Sequence, residues 1–286
     1  MVHSFSNALS ISEFLKYALS EDQGDGDHTS LATIPPDLTG SAVVKVKEDG
    51  IISGLVIADQ VLNLVDQTIV VKVNVAEGAE VRNGQIVINI QGNIRSILRA
   101  ERVLLNCMQR MSGIASLTRK YVDAVAGTGA KILDTRKTTP NFRIFEKWAV
   151  TAGGGTNHRF GLYDMILIKD NHVDAAGGIV NAINKANIYL QETNRSLPIE
   201  IETRNLEEVK QVIETGKVQR IMLDNFKPEL LKEAVKLISD KIITEASGGI
   251  VLENIRQYAE TGVNYISVGA LTHSYKSLDI SMKLTG

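Results

Sequence analysis

From residue 130 onward the chain alternates short apolar runs with helical stretches, and this alternation restricts the possible folds more than any other feature. Parallel strands need a long crossover, usually a helix, so repeated strand–helix units predict a parallel sheet. The Gly-x-Gly-x-x-Gly fingerprint of a dinucleotide-binding sheet is missing, which favours a barrel. Six strands are fewer than the usual eight, so we expect an incomplete parallel α/β barrel. The predicted strands are 131–134, 165–168, 199–201, 220–223, 242–245 and 265–268.

The segment 41–92 follows a different pattern. Its short β-rich runs are separated by glycine turns, such as Asp49-Gly50 and Glu77-Gly78. We therefore predict a small domain of strands at 42–46, 68–75 and 85–90 with a helix at 58–66. Biotinyl and lipoyl carrier domains share this pattern of glycine turns. They need a lysine at a tight hairpin, and these turns contain none, so the sequence argues against a carrier role.

Helix signals complete the outline. Ser10 and Glu13 form a capping box, and Asn205 with Glu208 offers a second capping pair. A long helical pattern covers 96–124, with a break expected near Ser112-Gly113. We expect an N-terminal domain at 1–115 and a barrel domain at 116–286. A helix after residue 278 is expected to pack on either of them.

Composition excludes several classes of protein. The formal net charge of −2 gives no reason to expect nucleic acid as a partner. The one cysteine, Cys107, cannot form an internal disulfide and fits a reducing compartment. Glu13 and Lys16 interrupt the apolar run near the start, which is untypical of a signal peptide, and no stretch approaches a membrane span. We therefore predict a cytoplasmic protein without a membrane partner.

Charged residues and glycines follow every predicted barrel strand. The chemistry of α/β barrels lies at the carboxyl ends of the strands, so these residues are the site candidates. In strand order they are Thr135-Arg136-Lys137-Thr138, Lys169-Asp170-Asn171-His172, Glu200 with Glu202, Asp224-Asn225, Ser247-Gly248-Gly249 and Gly269-Ala270.

Two groups of candidates suit anions. Small residues after both final strands let backbone N–H groups approach a phosphate, although one glycine pair alone is usually a tight turn. Arg136 and Lys137 follow an apolar strand, and His158 and Arg159 follow a glycine run. Guanidinium groups grip carboxylates with two hydrogen bonds, so this cluster suits a ligand with more than one carboxylate. An Arg-Lys pair alone is usually a solvated surface.

Acidic residues on neighbouring strands suggest two chemistries. Glu202 and Asp224 can hold magnesium or sugar hydroxyls, or can form salt bridges to Lys137 or Lys169. Lys169 also fits a Schiff-base nucleophile, so the residues alone support a transferase and a barrel aldolase equally. The five histidines need no role beyond packing or surface positions, and the chain has no His-Glu-x-x-His pattern to support catalytic zinc.

Longer motifs resemble the quinolinate phosphoribosyltransferase family. Any one of them is weakly specific, but together they span nearly the whole chain in the family's order. The motifs are EDQGDGD at 21–27, AER at 100–102, SGIA at 112–115, DTRKTTP at 134–140, GGGTNHR at 153–159, LIKDNH at 167–172 and VGALTH at 268–273.

The resemblance implies an open-faced α/β sandwich followed by an incomplete barrel, and a homodimer, or a higher oligomer, in which Arg102 is donated across the interface. It implies quinolinate and phosphoribosyl pyrophosphate as substrates with Mg²⁺, and nicotinate mononucleotide, CO₂ and pyrophosphate as products. The catalytic set it implies is Lys137, Lys169, Glu202 and Asp224, with the two acids on Mg²⁺ directly or through substrate. The implied quinolinate ligands are Arg102, Thr135, Arg136, Lys137, His158 and Arg159, and the implied phosphoribosyl ligands are Lys169, Glu202, Asp224, Ser247, Gly248, Gly249, Gly269, Ala270 and His273.

Three positions depart from the family pattern. Asn141 stands where the family often has glycine, Trp148 where it often has tyrosine, and Val173 where it often has isoleucine. None of them is a charged position. A related pyrophosphorylase-like protein associated with molybdenum transport is also similar, but the intact segment at 168–172 favours the enzyme. A barrel that only senses phosphate would need neither Glu202 nor Asp224.

Overall fold

A computed structural model describes residues 10–285, which divide into two units. The first unit contains the residues up to Leu117, the segment Thr139–Gly154 and the residues from Tyr275 onward. The second contains Thr118–Thr138 and Gly155–Ser274. The predicted domain bounds, 1–115 and 116–286, state which segments fold together and stay a prediction.

The helices and strands agree with most of the sequence-based expectations, including the capping box at Ser10 and the N-cap at Asn205. In chain order they are α1 (Ile11–Gln23), α2 (His28–Thr33), β1 (Thr39–Val46), β2 (Gly50–Ile51), α3 (Leu55–Val65), β3 (Val70–Val73), β4 (Glu80–Val81), β5 (Ile86–Asn93), α4 (Ile94–Ala124), β6 (Lys131–Leu133), α5 (Arg143–Ala152), β7 (Ile166–Ile168), α6 (Asp170–Ala176), α7 (Ile179–Glu192), β8 (Ile199–Thr203), α8 (Leu206–Thr215), β9 (Arg220–Asp224), α9 (Pro228–Ile238), β10 (Ile243–Ser247), α10 (Ile255–Ala259), β11 (Tyr265–Ser267), α11 (Ala270–His273) and β12 (Ile280–Thr285).

The first unit is built on an antiparallel sheet with the strand order β12-β1-β5-β3. Ala42, Val44 and Val46 of β1 are buried and alternate with more exposed residues, which is the pattern of a sheet with one face on a core. Apolar residues of α3, among them Ile57 and Val61, are fully buried. The predicted small domain of strands with one helix is confirmed.

The expected helix after residue 278 is wrong, because this segment forms β12 and pairs antiparallel with β1. Ile280 and Met282 are buried, whereas Ser281 and Lys283 are more exposed. This period of two matches a strand with one buried face and not a helix. Val44 lies opposite Met282, so the segment belongs to the first unit.

The expected break near Ser112-Gly113 is also wrong, because α4 runs through both residues. Ser112 Oγ accepts a hydrogen bond from the Ser53 backbone N–H at 2.9 Å. A Cβ on Gly113 would lie 2.9 Å from the Cα of Ser277 and closer still to the carbonyl oxygen of Lys276. The glycine therefore allows a second backbone segment to approach the helix and does not end it.

Six parallel strands form the sheet of the second unit, in the order β6-β11-β10-β9-β8-β7. From β7 to β11 each strand pairs with its successor in the sequence, and β11 then pairs with the first strand, β6. Sequential neighbours with a last-to-first pairing make a barrel, and the sheet stays open between β6 and β7. The predicted incomplete barrel is confirmed.

Two further observations concern the solvent and redox environment. Among residues 10–285, no helix combines the length and the apolar character needed to cross a membrane. Cys107 is a free thiol on α4 and is 5% exposed. Burial raises the pKa of this thiol to about 12, which makes it a weak nucleophile at neutral pH.

Substitution of Gly113 by alanine tests the close approach on α4. We expect Gly113→Ala to lower the free energy of unfolding by about 1–3 kcal/mol, because the added methyl group has no space beside residues 276 and 277. Lys120→Ala on the exposed face of the same helix is the control and should stay within about 0.5 kcal/mol of the parent. Denaturant unfolding measures both, and a neutral or stabilising effect of Gly113→Ala would contradict the packing described here.

Candidate active site

Side chains from the inner face of the barrel line a cavity of about 780 Å³ in the second unit. Successive side chains on a strand point to opposite faces, so residues two apart share a face. Glu202 of β8, Met222 and Asp224 of β9, and Glu245 and Ser247 of β10 all line the cavity. The strand register thus collects charged side chains from several strands at the carboxyl end of the sheet.

Cations form one wall of this cavity. Arg136 follows β6, and Arg159 is 9% exposed and donates from Nη1 to the Met165 carbonyl oxygen at 3.1 Å. Burial and then the charge of Arg136 lower the pKa of Arg159. Two guanidinium groups close enough to repel each other in a partly buried place favour a ligand with more than one negative charge.

Lys137 belongs to the same wall and is fixed through its backbone. Its N–H donates to Thr135 Oγ1 at 3.0 Å, and its carbonyl oxygen accepts from Thr272 Oγ1 at 2.8 Å. A Cβ on Gly269 would lie 3.1 Å from Lys137 Cδ, so the glycine leaves room for the lysine side chain. The segment after β6 and the segment after β11 therefore position each other.

His158 lies deeper, at the buried end of the cation wall. Its backbone N–H donates to Oδ1 of the buried Asp134 at 2.8 Å. Its ring Nε2 lies 3.1 Å from Glu200 Oε2 and 3.4 Å from Glu245 Oε2. Burial alone would lower the pKa of His158, but the two carboxylates outweigh it and raise the pKa to about 9.

Acidic residues form another part of the cavity lining, the acidic wall. Glu202 is 8% exposed, and Lys169 Nζ lies 3.8 Å from its Oε2. Burial raises the pKa values of both Glu202 and Asp224, and the charge of Asp224 raises that of Glu202 further. Asn225 Nδ2 donates to Asp224 Oδ2 at 2.6 Å and so orients this carboxylate. The pair is an acidic site whose charge is only partly compensated by Lys169.

Glycines after β10 bring backbone close to the cavity. Gly248 has φ +95°, and a Cβ there would lie 2.9 Å from the Asn225 backbone N. Asn225 itself has φ +56° and donates its N–H to the Ser247 carbonyl oxygen at 2.8 Å. Only glycine fits position 248, on both conformational and steric grounds.

All the catalytic and ligand residues that the family resemblance implies, except Arg102, line this one cavity. Four of the other strand-end candidates are not in its lining, namely Thr138, Asn171, His172 and Glu200. Arg102 belongs to the first unit, where it is exposed and lines a cavity of about 420 Å³ with Glu21, Asp22 and Arg110. The roles of all these residues stay predictions. The residues that the structure brings together on the cavity wall are Thr135, Arg136, Lys137, His158, Arg159, Lys169, Glu202, Asp224, Ser247, Gly248, Gly249, Gly269, Ala270 and His273.

Two residues with clear structural roles were not given a function by the sequence analysis. Asn225 orients Asp224, and Glu245 contacts both His158 and Arg220 in the barrel interior. A usable signal for Glu245 was present, because an acid inside an apolar strand is buried only when it has a partner. Asn225 could have been noticed because asparagine tolerates the left-handed αL conformation and here directly follows an acidic residue.

The acidic wall also passes a test for magnesium. Mg²⁺ prefers oxygen ligands and is usually held by one or two carboxylates together with substrate phosphates. Glu202 and Asp224 offer only oxygen donors, and their raised pKa values reflect burial that a cation would offset. A second cluster is less suited to a metal. The ligand atoms of His158, Glu200 and Glu245 lie within 4.8 Å of one another. A cation already lies beside this cluster, because Arg220 Nη1 is 3.0 Å from Glu245 Oε2.

The combination of an incomplete α/β barrel, a cation wall and an acidic wall at its carboxyl end is that of an enzyme handling polyanionic substrates. Family models identify which one. The model described as Quinolinate phosphoribosyl transferase, N-terminal domain, matches residues 27–112, and the corresponding C-terminal domain model matches residues 114–283.

Relatives and solved structures agree with these matches. The chain is 48% identical over 285 residues to the chloroplastic nicotinate-nucleotide pyrophosphorylase [carboxylating] of Arabidopsis thaliana, covering 94% of this chain and 81% of the relative. It is 43% identical to the probable nicotinate-nucleotide pyrophosphorylase [carboxylating] of Bacillus subtilis, covering 98% and 95%. The crystal structure of NadC from Streptococcus pyogenes superposes with a TM-score of 0.92 at 40% identity and 96% coverage of both chains. The chain belongs to the quinolinate phosphoribosyltransferase family, which confirms the predicted resemblance.

Replacement of Glu202 by glutamine tests the electrostatics of the acidic wall. The pKa of Glu202 is higher in the folded than in the unfolded protein, so its ionised form lowers the free energy of unfolding at neutral pH. This loss of free energy of unfolding begins to diminish as the pH drops through the folded-state pKa, and it is absent below the unfolded-state pKa. Glu202→Gln is therefore expected to melt at a higher temperature than the parent at pH 7.5, by a margin that shrinks toward pH 4.

Thermal unfolding in EDTA-containing buffer across this pH range measures the effect. Glu260→Gln is the matched control, because Glu260 is exposed and pairs with Arg256 on the surface. It should give no gain at neutral pH. A lower melting temperature for Glu202→Gln at pH 7.5, or a gain independent of pH, would contradict the described electrostatics.

Proposed function

We propose that the chain transfers the phosphoribosyl group of phosphoribosyl pyrophosphate to quinolinate, forming nicotinate mononucleotide, CO₂ and pyrophosphate in NAD biosynthesis. The observation that carries the proposal is that two mutually repelling guanidinium groups, Arg136 and Arg159, line the same cavity as the acidic wall. A dianionic acid and a phosphorylated sugar donor need these two kinds of lining. The family match supports both substrates.

Quinolinate is proposed to bind at the cation wall. Its two carboxylates can accept hydrogen bonds from Arg136 and Arg159, with Lys137 adding a further positive charge and Thr135 a hydroxyl. Burial and then the charge of Arg136 lower the pKa of Arg159, and a bound dianion would offset both effects. The cations in turn offset the loss of hydration of the dianion. Binding of quinolinate would thus also neutralise the positive charge of the cation wall.

The phosphoribosyl donor is proposed to lie between the acidic wall and the glycine segments. Its 5′-phosphate suits the backbone N–H groups around Ser247, Gly248, Gly249, Gly269 and Ala270, with His273 beside them. Glu202 and Asp224 would hold Mg²⁺, which would neutralise charge on the pyrophosphate of the donor. Lys169 supplies a further cation for the same oxygens.

Different residues are proposed to act on the sugar, on the leaving group and on quinolinate. The bond from the sugar to pyrophosphate breaks with positive charge developing on the ribose, which the carboxylates of Glu202 and Asp224 stabilise. Lys169 stabilises the negative charge on the leaving group. The cation wall holds the ring nitrogen of quinolinate toward the sugar, so that the nitrogen forms the new bond.

Loss of CO₂ needs no additional group from the protein. After transfer, the ring nitrogen is a quaternary pyridinium. It accepts the electron pair released when the adjacent carboxylate leaves, and a proton replaces that carboxylate on the ring. Lys137 and Arg136 keep the remaining carboxylate in place during this step.

We propose a homodimer in which Arg102 reaches the partner's site. Arg102 is exposed on α4 of the first unit. It would add one more cation to the partner's quinolinate site.

A cytoplasmic location remains a prediction that the free thiol of Cys107 supports.

The alternatives are less well supported. A Schiff-base lysine is activated by an apolar pocket or a cationic neighbour, whereas Lys169 is 51% exposed and beside a carboxylate. The relatives carry the names of the enzyme, so the comparisons do not favour the protein associated with molybdenum transport.

Removal of Arg136 tests the cation wall. We expect Arg136→Ala to raise the quinolinate KM by about ten- to a hundredfold or more, because a charge-assisted hydrogen bond is lost, while the protein stays folded. Arg195→Ala, at an exposed arginine of the same unit, is the control. Steady-state formation of nicotinate mononucleotide is the measurement, and nicotinic acid, with one carboxylate fewer, should be a poor substrate of the parent. Near-normal kinetics of folded Arg136→Ala, or equal rates with nicotinic acid, would refute the assignment.

Mixing of two inactive variants tests the donation of Arg102. Arg102→Ala and Arg136→Ala should each be inactive or severely impaired alone. In a mixed dimer one of the two sites has both arginines, so a refolded equimolar mixture should regain about a quarter of the parent activity. If Arg102 acts within its own subunit, mixed dimers contain no complete site and the mixture stays inactive.

A further inference from the structure

Arg159 lies in the segment that connects the two strands at the edges of the open barrel. Thr156 forms a parallel bridge with Leu133 of β6, and Ile166 begins β7. The sheet is open between these two strands. Residues 156–165, the gap segment, therefore run from one edge of the sheet to the other, and the direction of the Arg159 side chain depends on how this segment is held.

The start of the gap segment is held on β6. The Thr156 backbone N–H donates to the Ile132 carbonyl oxygen at 2.8 Å, and the Asp134 N–H donates to the Thr156 carbonyl oxygen at 3.2 Å. The His158 N–H then donates to Oδ1 of the fully buried Asp134 at 2.8 Å. The backbone is thus fixed to β6 as far as the residue before Arg159.

Asp164 holds the backbone that follows Arg159. The Phe160 N–H donates to Asp164 Oδ2 at 2.6 Å, and the Gly161 N–H donates to Oδ1 at 2.8 Å. Both carboxylate oxygens are used, one for each of two consecutive N–H groups, and a charged acceptor makes such hydrogen bonds stronger. Leu162, at the tip of this loop, is 71% exposed, so its burial does not hold the loop closed.

The same loop also fixes the guanidinium group. Arg159 Nη1 donates to the carbonyl oxygen of Met165, the residue after Asp164, at 3.1 Å. The arginine side chain therefore lies across the base of the loop that starts at its own backbone. Burial and then the charge of Arg136 lower the pKa of Arg159, and the charges of Glu200 and Asp164 oppose this shift. Asp164 thus acts on both the backbone and the charge of Arg159.

We propose that Asp164 is a positioning residue for quinolinate: by accepting the N–H groups of Phe160 and Gly161, it closes the loop that directs the Arg159 guanidinium into the cavity. The proposal rests on the proposed function, because it needs Arg159 to bind quinolinate. Asp164 is not part of the cavity lining, and a carboxylate in direct contact would repel the dianion. Its effect on affinity therefore passes through Arg159.

Kinetics of Asp164→Asn test this role. The amide keeps the size of the side chain but offers one acceptor oxygen, and its NH₂ group would face the second backbone N–H. We expect the quinolinate KM to rise about tenfold, as for loss of one charge-assisted hydrogen bond, with the KM for phosphoribosyl pyrophosphate within about twofold of the parent. Asp164→Glu keeps the charge and both oxygens, so its quinolinate KM should stay within about threefold of the parent.

Asp174→Asn is the matched control, because Asp174 is an exposed aspartate of the same unit that pairs with Arg204. It should change neither KM. An unchanged quinolinate KM in folded Asp164→Asn overturns the positioning role. An equal rise in both KM values shows general damage to the site and overturns it as well.

A double variant shows whether Asp164 acts through Arg159. Arg159→Lys keeps the positive charge but loses the planar fork that the loop directs. Adding Asp164→Asn to Arg159→Lys should weaken quinolinate binding by less than about twofold, because the group that Asp164 positions is already gone. Calorimetric titration with quinolinate measures this without turnover. A further tenfold loss in the double variant would place the effect of Asp164 elsewhere and overturn the proposal.

Amide hydrogen exchange in the parent protein decides the matter if Asp164→Asn does not fold. Because coupling between two equilibria is reciprocal, a loop that strengthens quinolinate binding must itself be stabilised by quinolinate. Saturating quinolinate should slow exchange at the Phe160 and Gly161 amides about tenfold, the same factor as the expected change in affinity, whereas phosphoribosyl pyrophosphate alone should not. Exchange that quinolinate leaves unchanged overturns the positioning role.

The outcomes separate the two proposals. A parent protein that binds quinolinate without converting it refutes the proposed function, while the binding and exchange measurements still test Asp164. A parent that does not bind quinolinate refutes both. A parent that converts quinolinate, with a KM that Asp164→Asn leaves unchanged, refutes only the positioning role.

Discussion

Alternation of side chains along parallel strands decides where the charges of the second unit lie. Glu200 and Glu202 share one face of β8, but a shift of two residues separates a fully buried carboxylate beside His158 from a carboxylate at the cavity. On β9, two such steps separate Arg220 from Asp224, with Met222 between them. The proposed roles of the strand residues depend on this register, because a slip of one residue would turn these charges out of the barrel.

Like charges lie near each other on the cavity walls, and opposite charges pair beneath them. Arg136 and Arg159 repel each other on one wall, and Glu202 and Asp224 do so on the other. In the barrel interior Arg220 and Glu245 instead form an ion pair at 3.0 Å. The surface that substrates are proposed to cover therefore carries neighbouring like charges, whereas the layer beneath it contains an ion pair and can hold the walls in place.

The sequence predicted the barrel and most of the residues that line the cavity, because both follow from local rules. Apolar runs mark strands, and the residues after them must meet at one edge of a parallel sheet. The predictions for Gly113 and for the segment after residue 278 were wrong because the deciding partners, residues 276–277 and β1, are distant in sequence. The contacts of His158 with Glu200 and Glu245 need the register of β8 and β10, which no local pattern gives.

The pairing of β12 with β1 has a consequence for the order in which the chain can fold during synthesis. β1 is among the first strands to leave the ribosome, yet one of its edges meets its partner only after all six barrel strands have been made. Until then that edge offers unpaired N–H and C=O groups to any other nascent strand. The second unit has no such dependence, because its strands and their partners all lie between residues 131 and 267. The barrel can therefore be complete while the first sheet still waits for its last strand.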